Sequence, residues 1–292
     1  MYKQIAENKR KTVFLIMGFV VMIGAISAIF AYFYQDVWVA VWAVVIATIY
    51  AVIQYFAAGS LAMAMTGAKE IEKKDNPRLY NIVENLAITT GLPMPKVYVV
   101  DDKAPNAFAT GRDPEHAAVA ATTGLMDIMN DKELTAVMAH EMSHVKNYDI
   151  RVSMIVFGLV CVVGLISDMA FRMMFYGDRR RENEGSPVAY VLLLIAGILS
   201  PIFASLAQMA VSRQREYLAD ASAAHITRYP EGMISALKKL QTHSTPMKSQ
   251  NIAAASMYIN NPMRKNFLGD LFSTHPPIEK RIERLEHGKE KF

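Results

Sequence analysis

The stretch NDKELTAVMAHEMSHVKN, residues 130–147, decides how this chain folds. Asn130 followed by Glu133 has the form of a capping box, in which each side chain accepts a hydrogen bond from a backbone N–H at the helix start. No glycine or proline follows within the stretch, and apolar residues recur at helical spacing. These apolar positions are Leu134, Val137, Met138 and Val145. The pattern predicts one uninterrupted helix with an apolar stripe.

Two histidines lie four residues apart on this predicted helix, in the pentapeptide His140-Glu141-Met142-Ser143-His144. Residues four apart share a helix face, so both imidazoles can reach one metal ion. Zinc suits imidazole ligands and lowers the pKa of bound water towards ~7. Glu141 lies beside that face and is predicted to be the general base that takes a proton as water attacks a carbonyl. A pentapeptide can arise by chance on a solvated helix, so this interpretation needs a third ligand.

Outside this helix the chain is too apolar for a soluble protein. Of its 292 residues 52% are hydrophobic and the mean hydropathy is +0.17, whereas soluble chains of this size rarely average above zero. Four runs are long enough to cross a hydrocarbon core of ~30 Å as helices. They cover residues 12–34, 37–58, 152–171 and 188–211, with Asp168 as their only charged side chain. The sequence predicts an integral-membrane, mainly α-helical protein with about four transmembrane helices.

Composition excludes several other classes of protein. Cys161 is the only cysteine and lies inside an apolar run, so no disulfide holds the chain together. The net charge of +4 is too small to suggest nucleic acid as a partner. A purely soluble enzyme, a disordered protein and a disulfide scaffold are therefore all excluded.

The distribution of basic residues predicts the orientation of the chain in the membrane. Lys3, Lys9, Arg10 and Lys11 precede the first run, and the positive-inside rule then places the N-terminus in the cytoplasm. Four parts follow: an N-terminal transmembrane hairpin (1–58), a cytoplasmic catalytic part with the histidine motif (59–151), a second hydrophobic hairpin (152–211) and a second cytoplasmic catalytic part (212–292). The bilayer and the cell membrane are thus the expected surroundings.

The second hairpin leaves two interpretations open. The loop 172–187 carries Arg172 and three consecutive arginines at 179–181, which the positive-inside rule disfavours outside the cell. The runs 152–171 and 188–211 therefore either span twice or form a re-entrant hairpin. Both interpretations keep the two catalytic parts on one side.

A carboxylate in the second catalytic part is the best candidate for the third ligand. A metzincin would need a glycine and a histidine where Asn147 and Ile150 stand, so that class is excluded. The segment RQREYLAD, residues 213–220, places Glu216 and Asp220 four apart. We expect Glu216 to bind zinc and Asp220 to accept a hydrogen bond from a liganding imidazole. A glutamate–aspartate pair on a helix more often lies on a solvated face. Here the pair is predicted to lie on the same side of the membrane as His140 and His144, which favours a metal site.

Residues 59–151 also contain signals for a small mixed domain. Pro77 after Asn76 predicts a helix start. Lys96–Val100 and Ala117–Thr122 are predicted strands. The catalytic parts are therefore expected to form an α+β domain with a small sheet.

Taken together, the motifs of this chain resemble those of the HtpX-type integral-membrane zinc metalloproteases, bacterial relatives of the CAAX prenyl endopeptidases. The resemblance rests on the order of its motifs: the N-terminal hairpin, NAFATG at 106–111, the histidine motif with Asn147 and Asp149, two further apolar runs, Arg213–Asp220, and FSTHPP at 272–277. It implies a gluzincin-like fold that binds one Zn²⁺ per chain through His140, His144 and Glu216. It also implies that Glu141 is the catalytic base and that Asp220 supports a zinc-bound histidine.

The same resemblance implies roles for four further residues. His275 and Arg281 fit the spacing of the gluzincin side chains that stabilise the developing oxyanion. Asn106 and Ala107 fit an edge strand whose backbone pairs with an extended substrate.

These observations predict a membrane-bound zinc endopeptidase with its active site in the cytoplasm. The family implies polypeptide substrates, chiefly misfolded or damaged membrane proteins. A CAAX-type prenyl-protein endopeptidase is an alternative with the same catalytic groups, although those relatives have more spans. An inactive membrane adaptor or chaperone is the non-enzymatic alternative, and a channel is disfavoured because Asp168 is the only ionisable residue within a run. The sequence does not predict cleavage specificity, oligomeric state or self-cleavage.

Overall fold

The computed structural model describes residues 2–159, 161, 213–248, 257–260 and 276–288. Its helices are α1 (Tyr2–Tyr34), α2 (Val37–Met65), α3 (Pro77–Thr90), α4 (Thr123–Ile128), α5 (Asp131–Lys146), α6 (Arg213–Thr227), α7 (Pro230–Thr242) and α8 (Ile278–Gly288). Its strands are β1 (Ala68–Glu70), β2 (Lys96–Val100), β3 (Ala107–Gly111) and β4 (Ala117–Thr122). The chain is also helical over 149–159. The fold is mainly helical with one small mixed sheet, as expected from the sequence.

The first two helices pack together as a helical hairpin. In the tight turn Gln35 adopts a left-handed φ of 52°, and the side chain of Asp36 caps α2 by accepting a hydrogen bond from the backbone N–H of Trp38. Large apolar side chains along α2 are exposed, among them Trp42, Ile46, Ile49, Ile53 and Phe56. Of the residues that the structure describes, the stretch Val44–Met65 is long and apolar enough to cross a membrane.

Most of the second predicted hairpin lies outside the described residues. The run 152–171 is helical over 152–159, where Val152, Val156 and Phe157 are buried. The run 188–211 is not described at all. The four-span architecture therefore stays a prediction.

The sheet has the order β1-β2-β4-β3, which makes β3 an edge strand. The pairs β1–β2 and β3–β4 are antiparallel, and β2–β4 is parallel. Gly111 ends β3 at a φ of 135°, and a Cβ there would clash with the carbonyl oxygen of His116. Only glycine fits this close approach of two backbones, so the turn into β4 depends on it.

The helix α5 is the centre of the core. Its capping box forms as predicted, with Asn130 and Glu133 each accepting a hydrogen bond from the other's backbone N–H. The predicted apolar stripe is fully buried. Contacts with α3, α6, α7 and β3 bury most of the remaining helix surface as well. The histidine motif is therefore held on a rigid, enclosed helix.

Candidate metal centre

Three side chains from two helices meet beside α5 at one point. His140 and His144 come from α5, and Glu216 comes from the first turn of α6. One potential ligand atom of each lies within 4.8 Å of the others. The Nε2 atoms of the two histidines are 3.2 Å apart, and they lie 3.6 and 3.5 Å from Glu216 Oε2 and Oε1. The structure thus brings the three predicted ligands together.

These distances fit a tetrahedral zinc ion. With bonds of about 2.0–2.1 Å, two ligands of such an ion are separated by roughly 3.3 Å. The two imidazole nitrogens face each other at 3.2 Å. At this separation they can share one proton in a hydrogen bond, or both can bind one cation. His140 and Glu216 are buried, and the side chain of His144 is 14% exposed. The donor set of two imidazoles and one carboxylate is also one that catalytic zinc uses.

A buried carboxylate and a buried arginine support His140. Asp220 Oδ1 lies 2.9 Å from His140 Nδ1. Arg281 from α8 donates two hydrogen bonds to Asp220, from Nε at 2.8 Å and from an Nη at 2.6 Å. Asp220 therefore stands where the sequence placed it, behind an imidazole that faces the candidate metal position.

The charges of this cluster shift the pKa values of its members. Burial alone would lower the pKa of His140, but its hydrogen bonds to Asp220 and Glu216 raise it to about 9. Burial would raise the pKa of Asp220, yet the guanidinium of Arg281 and the ring of His140 hold it at about 2. Asp220 is therefore ionised at neutral pH and favours a proton on the His140 nitrogen that faces it.

His144 also has a carboxylate partner, to which the motif spacing gave no role. Asp149 Oδ2 lies 3.0 Å from His144 Nδ1, and Asp149 is 6% exposed. The turn after α5 places it there, because Tyr148 adopts a left-handed φ of 61° and reverses the chain. The signal available was a carboxylate just past the end of the motif helix, but its direction depends on this turn.

Of the three other residues predicted to act in catalysis, the structure describes Glu141 and Arg281 but not His275. Glu141 is buried on α5 next to His140. Arg281 is buried against Asp220, and its Nη1, 4.0 Å from Glu216 Oε2, has no hydrogen-bond partner among the described residues. His275 lies outside the described residues. The roles of all three in catalysis stay predictions.

Asn106 and Ala107 lie at the edge strand, but their outward polar atoms are engaged by the chain itself. The carbonyl oxygen of Ala107 accepts a hydrogen bond from the N–H of Ile259 at 3.0 Å. The side-chain amide of Asn106 donates to the carbonyl of Asn260 at 2.8 Å and accepts from its N–H at 3.1 Å. Substrate binding by these two residues stays a prediction.

Comparison with known proteins identifies the family. Residues 73–289 match peptidase family M48. The chain is 53% identical over 292 residues to a protease HtpX homolog of Tropheryma whipplei (strain Twist), with all of both chains covered. It is 46% identical over 296 residues to a protease HtpX homolog of Ligilactobacillus salivarius (strain UCC118), covering 98% of this chain and 99% of that one.

A solved structure shares the fold. Ste24p of S. mikatae superposes with a TM-score of 0.52 at 21% identity, covering 98% of this chain and 66% of Ste24p, so this chain spans slightly less than two thirds of its length. The family model and the two relatives, together with the cluster of His140, His144 and Glu216 from two helices, define the class of this protein as a metallopeptidase. The chain belongs to peptidase family M48 and is a metalloendopeptidase, which confirms the predicted family and enzyme class.

Proposed function

We propose that this protein is a zinc endopeptidase of the cell membrane that hydrolyses peptide bonds of membrane proteins, chiefly misfolded or damaged ones, at its cytoplasmic face. The observation that carries the proposal is the enclosed cluster of His140, His144 and Glu216, whose ligand atoms are separated by 3.2–3.6 Å beside Glu141. This spacing suits one zinc ion.

The metal and the protein divide the chemistry between them. When bound, zinc supplies a Lewis acid that polarises the scissile carbonyl and makes water more acidic. Glu141 takes the proton of the attacking water and later delivers it to the leaving amine. Arg281, which presents a buried Nη1 without a hydrogen-bond partner among the described residues, and His275 stabilise the negative charge that develops on the carbonyl oxygen.

The location in the membrane is supported by the N-terminal hairpin. Trp42, Ile46 and Phe56 on α2 are each about 60% exposed, and a continuous apolar surface of this size is unfavourable in water. Contact with lipid tails removes this apolar surface from water and so avoids the cost. We place α1 and α2 across the bilayer, with the second hairpin crossing twice or dipping in, so that the two catalytic parts share the cytoplasmic side.

Glu141→Gln tests the catalytic assignment. The amide keeps the size of the side chain but cannot accept a proton, so we expect zinc to be retained and hydrolysis of an unfolded membrane protein to fall at least 10²-fold. The control is Glu84→Gln, a change at a surface position on α3. Hydrolysis by Glu141→Gln at the wild-type rate would remove Glu141 from the mechanism. Hydrolysis of a prenylated peptide, measured as a second substrate, distinguishes the proposed function from that of a prenyl-protein endopeptidase.

A further inference from the structure

The carboxylate of Asp149 is the meeting point of three separate parts of the chain. One oxygen, Oδ2, lies 3.0 Å from Nδ1 of His144. The other, Oδ1, accepts a hydrogen bond from the side-chain amide of Asn8 at 2.8 Å and one from Nη1 of Arg215 at 2.9 Å. Both oxygens are therefore satisfied and held in one orientation.

Asn8 is the unexpected member of this group. It belongs to the first turns of α1, before the predicted first span, yet it is only 2% exposed. Its amide also donates to the carbonyl oxygen of Asn147, which caps the end of α5, at 2.9 Å. One side chain of the N-terminal helix thus ties together the end of the motif helix and the carboxylate behind His144.

The arrangement repeats the one around the other histidine. His140 faces Asp220, which Arg281 holds, and His144 faces Asp149, which Arg215 holds. An imidazole that binds a metal through Nε2 needs its Nδ1–H directed at an acceptor, because this fixes the tautomer and the ring plane. Arg215 precedes Glu216, so the same turn of α6 supplies a ligand and an anchor.

We infer that Asp149 is a positioning residue for His144 and that Asn8 of the N-terminal helix is part of the metal centre through it. This inference rests on the proposed zinc site. It makes the predicted membrane hairpin a structural component of the catalytic site, in addition to any role as an anchor.

Binding of Co²⁺ to the purified, metal-stripped full-length protein tests this inference, because its visible spectrum reports ligand geometry. We expect Asp149→Ala to weaken binding about 10–100-fold, as loss of such a partner usually does. Asn8→Ala should weaken it about fivefold, the effect of one ordinary hydrogen bond, and shift the spectrum. Asn8→Asp should match Asp149→Ala, because it sets a second carboxylate against the first.

The control is Asn81→Ala, an exposed asparagine on α3, which should bind Co²⁺ like the wild type. Melting temperatures of the metal-free proteins show how far each variant is destabilised, and Co²⁺ affinity and spectrum are compared at a temperature where every variant is folded. Wild-type affinity and spectrum in Asp149→Ala and Asn8→Ala would overturn the inference. A wild-type protein that binds no Co²⁺ would overturn the proposed metal site itself.

A second observation concerns the outer edge of β3, the edge that does not pair with β4. Residues 257–260 lie antiparallel along it, with Phe108 opposite Tyr258 and the two rings edge to face at 4.9 Å between centroids. Together with the hydrogen bonds to the backbone carbonyl of Ala107 and to the side-chain amide of Asn106, this segment engages polar groups of both residues assigned to an extended substrate. A strand edge pairs with one partner at a time.

We propose that residues 257–260 act as an internal strap, which an extended substrate must displace from β3 before it is cleaved. The proposal rests on the predicted substrate role of Asn106 and Ala107. The strap and the substrate offer the same backbone hydrogen-bonding groups and compete for the same edge of β3. The strap therefore weakens substrate binding.

A disulfide can lock the strap. Phe108 and Tyr258 form a directly opposed antiparallel pair, where Cα separations suit a disulfide. On a Cys161→Ser background, the oxidised Phe108→Cys/Tyr258→Cys protein should lose at least 90% of its hydrolysis of an unfolded polypeptide and regain it on reduction, with Co²⁺ binding unchanged. Equal hydrolysis in the oxidised and reduced forms would overturn the strap while leaving the metal site intact.

Ile259→Pro provides a second test, because proline removes the N–H that bonds to Ala107. We expect kcat/KM for the polypeptide to rise severalfold. An unchanged or lower value with normal Co²⁺ binding would contradict the strap.

Discussion

The ion pair of Asp220 and Arg281 lies entirely within the protein, with both side chains no more than 2% exposed. Burying two charges is costly unless their hydrogen bonds are complete, and here Arg281 binds both oxygens of Asp220 in a bidentate arrangement. The pair therefore presents a fixed anion to His140. We interpret it as the support that keeps one metal-facing nitrogen in place.

The two carboxylates of α6 should differ in the severity of their substitution. Glu216→Ala leaves only two protein ligands, so we expect the zinc affinity to fall by more than 10³-fold. Asp220→Asn keeps a partner for His140 but loses the charge, and should cost about 10–100-fold. Chelator competition measures both. If Asp220→Asn is the more damaging change, the roles of Glu216 and Asp220 are reversed.

At the scale of residues, local spacing was sufficient to predict part of the site. The four-residue interval between His140 and His144 fixes their common face on any helix, and the same holds for Glu216 and Asp220. Asp149 was not assigned a role, because its contact with His144 depends on the turn that follows α5. The contact of Arg281 with Asp220 likewise depends on how α8 packs, which no local pattern encodes.

At the scale of elements, the start of α5 combines a cap with a buried charge. Glu133 closes the capping box at Asn130 and also accepts hydrogen bonds from Ser235 and Lys239 of α7. Burial raises the pKa of this carboxyl, but these hydrogen bonds and the Lys239 charge outweigh burial and lower the pKa below its ordinary value. The cap thus joins the motif helix to α7 through an ionised side chain.

Glu133→Gln should destabilise the protein in a pH-dependent way. A carboxyl with a depressed pKa in the folded state contributes stability above its unfolded pKa of about 4.3, and loses that contribution as the pH falls through the folded pKa. We expect a loss of about 2 kcal/mol at pH 7 that disappears in strong acid. Melting temperatures in detergent at several pH values measure this.

The matched control is Glu72→Gln, whose ion pair with Lys74 is on the surface with both side chains 76% exposed. It should leave the melting temperature unchanged at every pH. A Glu133→Gln protein with the same deficit at acidic and neutral pH would contradict the ionic role of Glu133.

The start and end of α5 were predictable from the sequence, whereas the burial of nearly all its faces was not. The capping box and the absence of glycine and proline correctly predicted α5. Its stripe predicted an amphipathic helix, but α3, α6 and α7 cover the other faces as well, and these helices come from distant parts of the sequence. The pairing of residues 257–260 with β3 was also missed, because Phe108 and Tyr258 are 150 residues apart in the sequence and no local pattern encodes their contact.

At the scale of the whole molecule, both halves of the proposed metal site must lie on the cytoplasmic side. Single cysteines on a Cys161→Ser background test this with a membrane-impermeant thiol reagent in intact cells. Val37→Cys, at the exposed start of α2, should be labelled from outside. Lys74→Cys, in the exposed loop after β1, should react only after lysis. The reverse pattern would overturn the orientation.

The same labelling applied to Ser186→Cys addresses the second hairpin, which lies outside the described residues. Two full spans predict labelling from outside, whereas a re-entrant hairpin predicts protection. We expect labelling, because the run 188–211 is 24 residues long and free of charge.

The most direct test of the central claim is to measure hydrolysis of an unfolded polypeptide by the detergent-purified protein at known zinc content. Before treatment, we expect about one zinc per chain and active protein. Chelation should remove the zinc and the activity together, and stoichiometric zinc should restore both. Hydrolysis that persists in the metal-free protein would contradict the assignment of His140, His144 and Glu216 as a catalytic zinc site.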